Sequence, residues 1–373
     1  MSDVYSEFSM LDLKHDPGHA PPSANSQRPG HVPGVGQFPP MVSVCIANYN
    51  GMGVIDECLR SVMAQLGNIA MEILLHDDAS TDESLAHIKK HYPQVILMES
   101  VDNVGFCIAN NRMAERARGQ YLLLFNNDAA LFPDALQTLL TEAQRLAKPA
   151  ILTLPQFDAT GGQLVDRGCL LDPFFNPVPN LDPKRSDVAM VIGACLWIPK
   201  DLWNELEGFP EWFGSIAEDM YLCCRARLAG YAVRALDPSG YRHWQGKSFG
   251  GNRVVNNRLT TTYARRALSE RNKSFVMMVT CPGIMLQVLL PIHLIQLTAE
   301  GIILSIIKRD WRLFQTIYWS CLKALWQDRK KIGRLRHNIQ SHRKIGIKLF
   351  CATFQPFPHK LSMLLRHGLP HVA

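Results

Sequence analysis

From Met41 onward, short β-branched or leucine-rich runs alternate with segments of helical periodicity. Residues 42–47 read as a buried strand, and 72–76, 95–98 and 121–125 as the next three strands. Between the first two, Ile55, Leu59, Val62 and Leu66 fall at helical spacing. Thr81-Asp82-Glu83 opens a second helix running toward His91, and a third runs from about Phe106 to Arg118. Strands and helices alternating at this spacing form βαβ units and a mostly parallel sheet. Ligands of such sheets bind at the carboxyl ends of the strands. Here those ends are polar: Asn48-Tyr49-Asn50-Gly51, Asp77-Asp78-Ala79-Ser80, Asp102-Asn103-Val104-Gly105 and Asn126-Asn127-Asp128.

A second half follows. Residues 155–183 are loop-rich, and 188–198 read as a strand with Gly193 inside it. Residues 201–207 form a short helix, and 216–229 a longer one with Glu218-Asp219 at its start. A strand over 231–236 leads through Asp237-Pro238-Ser239-Gly240 to His243.

Asp128, just past a buried strand, suits Mg²⁺ or Mn²⁺, which prefer oxygen ligands and bind through one or two carboxylates plus substrate phosphates. Its ordinary alternative is a turn before Pro133. Adjacent Asp77 and Asp78 have helix capping as their alternative, but Ser80-Thr81-Asp82 already supplies capping residues. Glu218 and Asp219 lie where a helix dipole favours ionised carboxylate, suited to removing a proton from an acceptor hydroxyl. His243 can complete a metal shell through a neutral imidazole. These parts suit glycosyl transfer from a nucleoside-diphosphate sugar: a cation neutralises the departing diphosphate, and one base activates the acceptor. A single displacement then inverts the anomeric carbon, whereas a retaining hydrolase needs two carboxylates flanking the bond.

Six segments carry a resemblance: VSVCIANYNG, EILLHDDASTDES, NVGFCIANNRMAERARGQYLLLFNND, VIGACLWIPKDLWNELEGF, AEDMYLCCRARLAGY and HWQGKS. Residues 41–250 resemble family 2 inverting glycosyltransferases of the GT-A fold, especially the bacterial rhamnosyltransferase-like branch. The resemblance implies a mostly parallel α/β sheet flanked by helices. It implies that Asp77 binds the donor base, with Ala47 and Asn48 lining the same pocket. Asn50, Asp78, Asn126 and Asn127 would belong to the same donor site. Asn103, Gly105 and the Asn110-Asn111 pair would shape the loop over the nucleotide. Asp128 and His243 would hold the metal, Asp219 would be the base, and Glu218 would help place the acceptor. Two positions depart from the family pattern: Asn126 stands for the first acid of its DxD-type motif, and Tyr221 for an Asp that often follows the Glu-Asp pair. The QxxRW signature of processive synthases is absent, which implies transfer of one or a few sugars. Two rival readings are a sugar-nucleotide pyrophosphorylase and a catalytically silent nucleotide-sugar-binding membrane scaffold. The first wants a Gly-rich, Arg-containing loop where this chain has NYNGMG.

Charge divides the chain. From Arg242 to Ala373, 22 Lys and Arg face 4 Asp and Glu, whereas residues 1–241 hold 17 against 29. The basic part also holds 275–307, a stretch whose only formally charged side chain is Glu300. Pro282, Gly283 and Pro291 punctuate it, leaving 292–307 short of the about 20 apolar residues of a clean span. Residues 251–348 therefore read as a helical region lying on an anionic membrane surface, at the cytoplasmic face of the inner membrane. A span through 275–307, or a homodimer interface, is the alternative. Nucleic acid is excluded as a partner, because the basic residues interleave with long aliphatic runs. A glycan or polyprenyl-linked acceptor would suit that location. Residues 1–40, rich in Pro, Gly, Ser and His, read as a disordered lead-in, and 349–373 as a tail. The opening MSDVYSEFSM does not read as a secretory signal. Ten scattered cysteines without a CxxC pair read as buried, reduced thiols of a cytosolic protein.

Overall fold

The computed structural model describes residues 39–244, 251–255, 258–368 and 371–372. The lead-in expected at 1–40 lies almost wholly outside them, as do residues 245–248 of the HWQGKS segment. The first strands are β1 (Val42–Asn48), β2 (Met71–Asp77), β3 (Ile96–Glu99) and β4 (Tyr121–Asn126). Helices α1 (Ile55–Met63), α2 (Ser84–His91) and α3 (Phe106–Arg116) connect them. After β5 (Ala129–Leu131) and α4 (Ala135–Arg145) come β6 (Ala150–Thr153), β7 (Gln156–Asp158), β8 (Leu164–Asp166), β9 (Cys169–Leu171) and β10 (Pro177–Pro179). The domain closes with β11 (Cys195–Pro199), α5 (Lys200–Glu205), α6 (Glu218–Leu228), β12 (Ala232–Ala235) and β13 (Tyr241–His243).

Seven strands form the main sheet, in the order β12-β6-β11-β4-β1-β2-β3. All pairs are parallel except those of β11, which runs antiparallel to both β4 and β6. Alternation divides the side chains between two faces. Val44, Ile46, Leu75 and Leu123 pack with Ile55 and Leu59 of α1. Cys45, Leu74, Leu122 and Leu124 pack with Met113 of α3 and Leu222 of α6. All ten cysteines are free, and nine are buried.

Two elements differ from the sequence reading. Where a strand was expected over 188–198, β11 occupies only Cys195–Pro199; Met190 instead forms an isolated bridge with Cys169. The helix expected from 216 begins at Glu218, because Ile216 and Ala217 hold positive φ of 72° and 68°.

The C-terminal helices share the domain's core. Helix α7 (Tyr263–Thr280) buries Phe275, Val276, Met277 and Val279 in the cluster that holds α3 and α6. Helix α8 (Gly283–Lys308) runs unbroken for 26 residues, so Pro291 does not interrupt the apolar stretch as the sequence suggested. Pro291 and Gln287, whose carbonyl loses its helical donor, both lie on the exposed side, where water can satisfy that carbonyl. Helix α8 is long and apolar enough to cross a membrane by length and composition alone.

On its inner side, Glu300 accepts from Arg266 Nη2 (2.5 Å), Lys360 Nζ (2.8 Å) and the Tyr318 hydroxyl (3.0 Å). Lys360 also reaches Glu270 (2.6 Å), which pairs with Lys273 (2.7 Å). Next to Glu300, the backbone of Gly301 abuts the Tyr318 ring so closely that a Cβ there would stand 2.5 Å from Cγ. Gly301→Ala should therefore cost about 1–3 kcal/mol by overpacking, seen as a lowered thermal midpoint of the full chain. An unchanged midpoint would mean that α8 packs more loosely than this contact implies.

Candidate active site

The register of the parallel strands brings their polar ends side by side. Asn48 pairs with Asp77 across β1 and β2, and Ala47 with Asn126 across β1 and β4. The Asn48 carboxamide joins all three strand ends. Its Nδ2 donates to Asp77 Oδ1 (2.9 Å) and Ser84 Oγ (3.1 Å), and its Oδ1 accepts from Asn127 Nδ2 (2.9 Å). Gly51 is required beside it, since a Cβ there would lie 2.1 Å from Asn48 Oδ1.

Asp77 is buried and holds the following turn: the Ser80 hydroxyl donates to Oδ1 (2.7 Å) and the Ser80 amide to Oδ2 (3.0 Å). Asp78 accepts from the amides of Val104 (2.7 Å) and Gly105 (2.9 Å), tying the second strand end to the loop after β3. Asn50 accepts from the Thr81 and Asp82 amides (2.8 and 3.2 Å). Ala47 is half-buried on the floor between these ends, and Asn103 is exposed at the tip of the loop. Gly105 (φ 86°) starts α3. Asn110 faces its own helix, donating to the Phe106 carbonyl (2.9 Å), while Asn111 exchanges two hydrogen bonds with Phe209.

A second, four-stranded sheet in the order β5-β13-β7-β8 delivers His243 to Asp128. Strand β13 runs antiparallel to β5 and parallel to β7, pairing His243 with Ala129 and Asp158. His243 Nε2 lies 3.1 Å from Asp128 Oδ1, and both residues are buried. Gln156 Oε1, 3.2 Å from His243 Nδ1, also accepts from the Tyr241 hydroxyl (2.7 Å) and so fixes the ring's orientation. The 3.1 Å separation matches the about 3.0 Å edge of an octahedron built on ~2.1 Å metal–ligand bonds. One carboxylate oxygen and one imidazole nitrogen thus fit adjacent positions of a hard divalent cation. Among the described residues no cluster of three or more His, Cys, Asp or Glu forms a closed metal cage. A cation held here would draw its remaining ligands from a substrate or water. Asn126 is half-buried at this edge, its amide donating to the Ala194 carbonyl (3.2 Å).

The third group enters on α6. The left-handed Ile216 and Ala217 turn the chain abruptly and present Glu218 and Asp219 at the helix start. A β-branched residue does not adopt this conformation unaided. The restraint comes from α7: Asn272 Nδ2 lies 2.8–3.0 Å from the carbonyls of Phe213, Ser215 and Ile216, and Arg271 also donates to Phe213. Asp219 Oδ2 accepts from the Gly193 amide (3.0 Å), next to the Ala194 that bonds Asn126. The Gly214 carbonyl accepts from Cys107 of α3 (3.0 Å). The loop bearing the acids is therefore fastened to the loop over the first site and to the strand end bearing Asp128. Tyr221 is buried against Phe213, facing the core, and only Trp212 of the Trp212-Phe213 pair retains exposure.

Both acids are held toward their neutral forms. Burial, then the neighbouring Asp219, pushes Glu218 up to about 8. Burial also raises Asp219, partly offset by the Gly193 and Met220 amides. The Arg265 guanidinium on α7 favours the charged form of both. Glu218 Oε2 is buried without a protein partner. Sequence reasoning missed Gln156, Asn272 and Arg265. A glycine inside an expected strand was the one local sign of a close backbone approach at Gly193.

Residues 43–202 match the family model "Glycosyl transferase family 2", and residues 123–307 match "Glycosyl transferase family group 2". The chain is similar to family 2 glycosyltransferases over these residues. Curated relatives agree over parts of it. Chondroitin synthase from Escherichia coli is 29% identical over 49% of this chain and 26% of its own length. N-acetylglucosaminyl-diphospho-decaprenol L-rhamnosyltransferase from Mycobacterium tuberculosis is 25% identical over 43% of this chain and 62% of its own length. The chain spans between about a quarter and a third of the first curated relatives it matches. The structure of GalNAc-T7 with UDP, GalNAc and Mn²⁺ aligns over 65% of this chain and 48% of that one, with a TM-score of 0.51 at 16% identity. The fold of the domain is thus GT-A.

Two outcomes follow from the carboxylates' setting. The folded domain keeps a proton on Glu218 that the unfolded chain loses above about 4.5. The resulting stability is complete below pH 4.5 and is lost as pH rises through 8. Glu218→Gln should therefore be more stable than the wild type at pH 9 and lose that advantage toward pH 4, by denaturant titration at both; equal offsets would contradict the raised value. Asn272→Ala should speed amide hydrogen exchange around Ile216–Asp219 well beyond any change in the sheet core. A uniform change would show that the clamp is not local.

Proposed function

We propose that this chain transfers a glycosyl group from a nucleoside-diphosphate sugar to a hydroxyl of a lipid-linked or cell-envelope glycan acceptor, with inversion. The observation that carries the reading is the convergence of three elements: a carboxylate–imidazole pair 3.1 Å apart, a strand-end pocket organised by Asn48, and a helix-borne acid aimed by Gly193. The family 2 match supports glycosyl transfer. The rhamnosyltransferase relative, whose name specifies a diphospho-decaprenol acceptor, supports a polyprenyl-linked one.

In this reading Ala47, Asn48 and Asn50, with the turn held by Asp77, form the pocket for the donor base. Asn103, Gly105 and Asn110 belong to the loop and helix that Asp78 draws over the nucleotide. Asn126 and Asn127 line the path to the diphosphate. Asp128 and His243 would hold Mg²⁺ or Mn²⁺, which supplies positive charge opposite the departing diphosphate. Asp219 accepts the acceptor hydroxyl's proton as that oxygen attacks the anomeric carbon; its raised proton affinity suits a base working near neutrality. Glu218, protonated in its apolar setting, donates a hydrogen bond that places the acceptor. With Asn126 in place of an acid, His243 carries a larger share of the cation's coordination.

A panel of nucleotide sugars, assayed with and without Mn²⁺, tests the reading. Asp219→Asn should reduce transfer about 10²–10⁴-fold while nucleoside diphosphate plus Mn²⁺ still raises its thermal midpoint. His243→Ala should lose most of the Mn²⁺-dependent part of that stabilisation. Full transfer by Asp219→Asn would remove the base assignment. Stabilisation by no nucleoside diphosphate would remove the donor reading altogether.

A further inference from the structure

Helix α8 is apolar on two sides, but only one is covered. Leu297, Gly301 and Leu304 face inward, whereas Ile284, Val288, Ile292, Ile295, Ile302 and Ile306 form an uncovered stripe on the other side. Ile295 is 70% exposed and Ile284 68%. The spacing of three, four or seven residues makes this one continuous face about 33 Å long at 1.5 Å per residue. An uncovered apolar face of that extent marks an interaction surface.

The stripe leads directly into cations and an aromatic. Lys308, Arg309 and Arg312 are exposed just past it, and Trp311 is 51% exposed among them. Indole rings and basic side chains beside an apolar face suit the boundary between lipid headgroups and acyl chains. The basic surplus of the region, 22 Lys and Arg against 4 acids from Arg242 onward, opposes pairing with a second copy and favours an anionic surface. The inner side argues against a crossing. Glu300 holds hydrogen bonds to Arg266, Lys360 and Tyr318, and a spanning helix would break them and carry that carboxylate into the hydrocarbon.

We infer that α8 lies in the headgroup layer of an anionic bilayer, its Ile-rich face immersed and its Glu300 face fastened to the glycosyltransferase domain. The surface is read from α8 and the charged and aromatic residues that follow it, and does not depend on the donor or acceptor proposed above.

Flotation of the full chain with vesicles tests this. The wild type should float with phosphatidylcholine vesicles containing about one-third phosphatidylglycerol and less with pure phosphatidylcholine, and it should be released by high salt or alkaline carbonate. The double variant Ile295→Glu, Ile302→Glu, at exposed positions outside the active site, should partition at least about tenfold less while keeping its thermal midpoint and its response to nucleoside diphosphate. Failure to float with either vesicle would overturn the inference. So would resistance to carbonate, which indicates a span. A concentration-dependent dimer that the double variant dissolves, without vesicle binding, would assign the stripe to a second copy instead.

Discussion

One side chain holds the ends of three strands in place. The Asn48 carboxamide uses its two ends differently, donating toward Asp77 and accepting from Asn127. Parallel strands supply the scaffold but leave their ends as loops, which are free to diverge. A buried amide with partners on both neighbours removes that freedom, and its own burial is tolerable because both its polar atoms are satisfied. Everything downstream, from the turn at Asp77 to the strand end at Asp128, takes its position from this junction.

The site beyond it is assembled under opposing costs. Burying Glu218 and Asp219 together penalises their charged forms. Arg265 and the Gly193 amide recover part of that penalty without neutralising it. The Asp128–His243 pair is arranged differently, as a short contact between buried groups whose imidazole is steadied from behind by Gln156. The candidate site thus combines two acids held toward their protonated forms with a carboxylate–imidazole pair in close contact.

The legible part of this arrangement was local. Strands β1, β2 and β4 announce themselves through continuous apolar runs, and their polar termini follow within one or two residues. The Asp128 position was visible for the same reason, and Glu218-Asp219 as acids opening a helix. What lay hidden depends on distant partners. Nothing around Ile216 or Ala217 calls for a left-handed backbone; Asn272, more than fifty residues away, imposes it. Gln156 and His243 are 87 residues apart in sequence and touch only through the second sheet. Pro291 reads locally as a helix breaker, yet α8 runs unbroken through it, with Pro291 and Gln287 both on its exposed side. The 188–198 run looked like one strand because its composition is apolar throughout, but Gly193 must leave the ladder for its amide to meet Asp219.

Helix α7 meets the acid-bearing loop through Asn272 and Arg271, and meets α8 and Lys360 through Arg266 and Glu270. The last of the motif segments ends at Ser248, so a truncation there would look like a clean excision of the motif-bearing domain. It would in fact discard the residue that holds the strained turn. The structural unit that positions Glu218 and Asp219 therefore extends past the motif segments, and a fragment could retain every one of them and still misplace both acids.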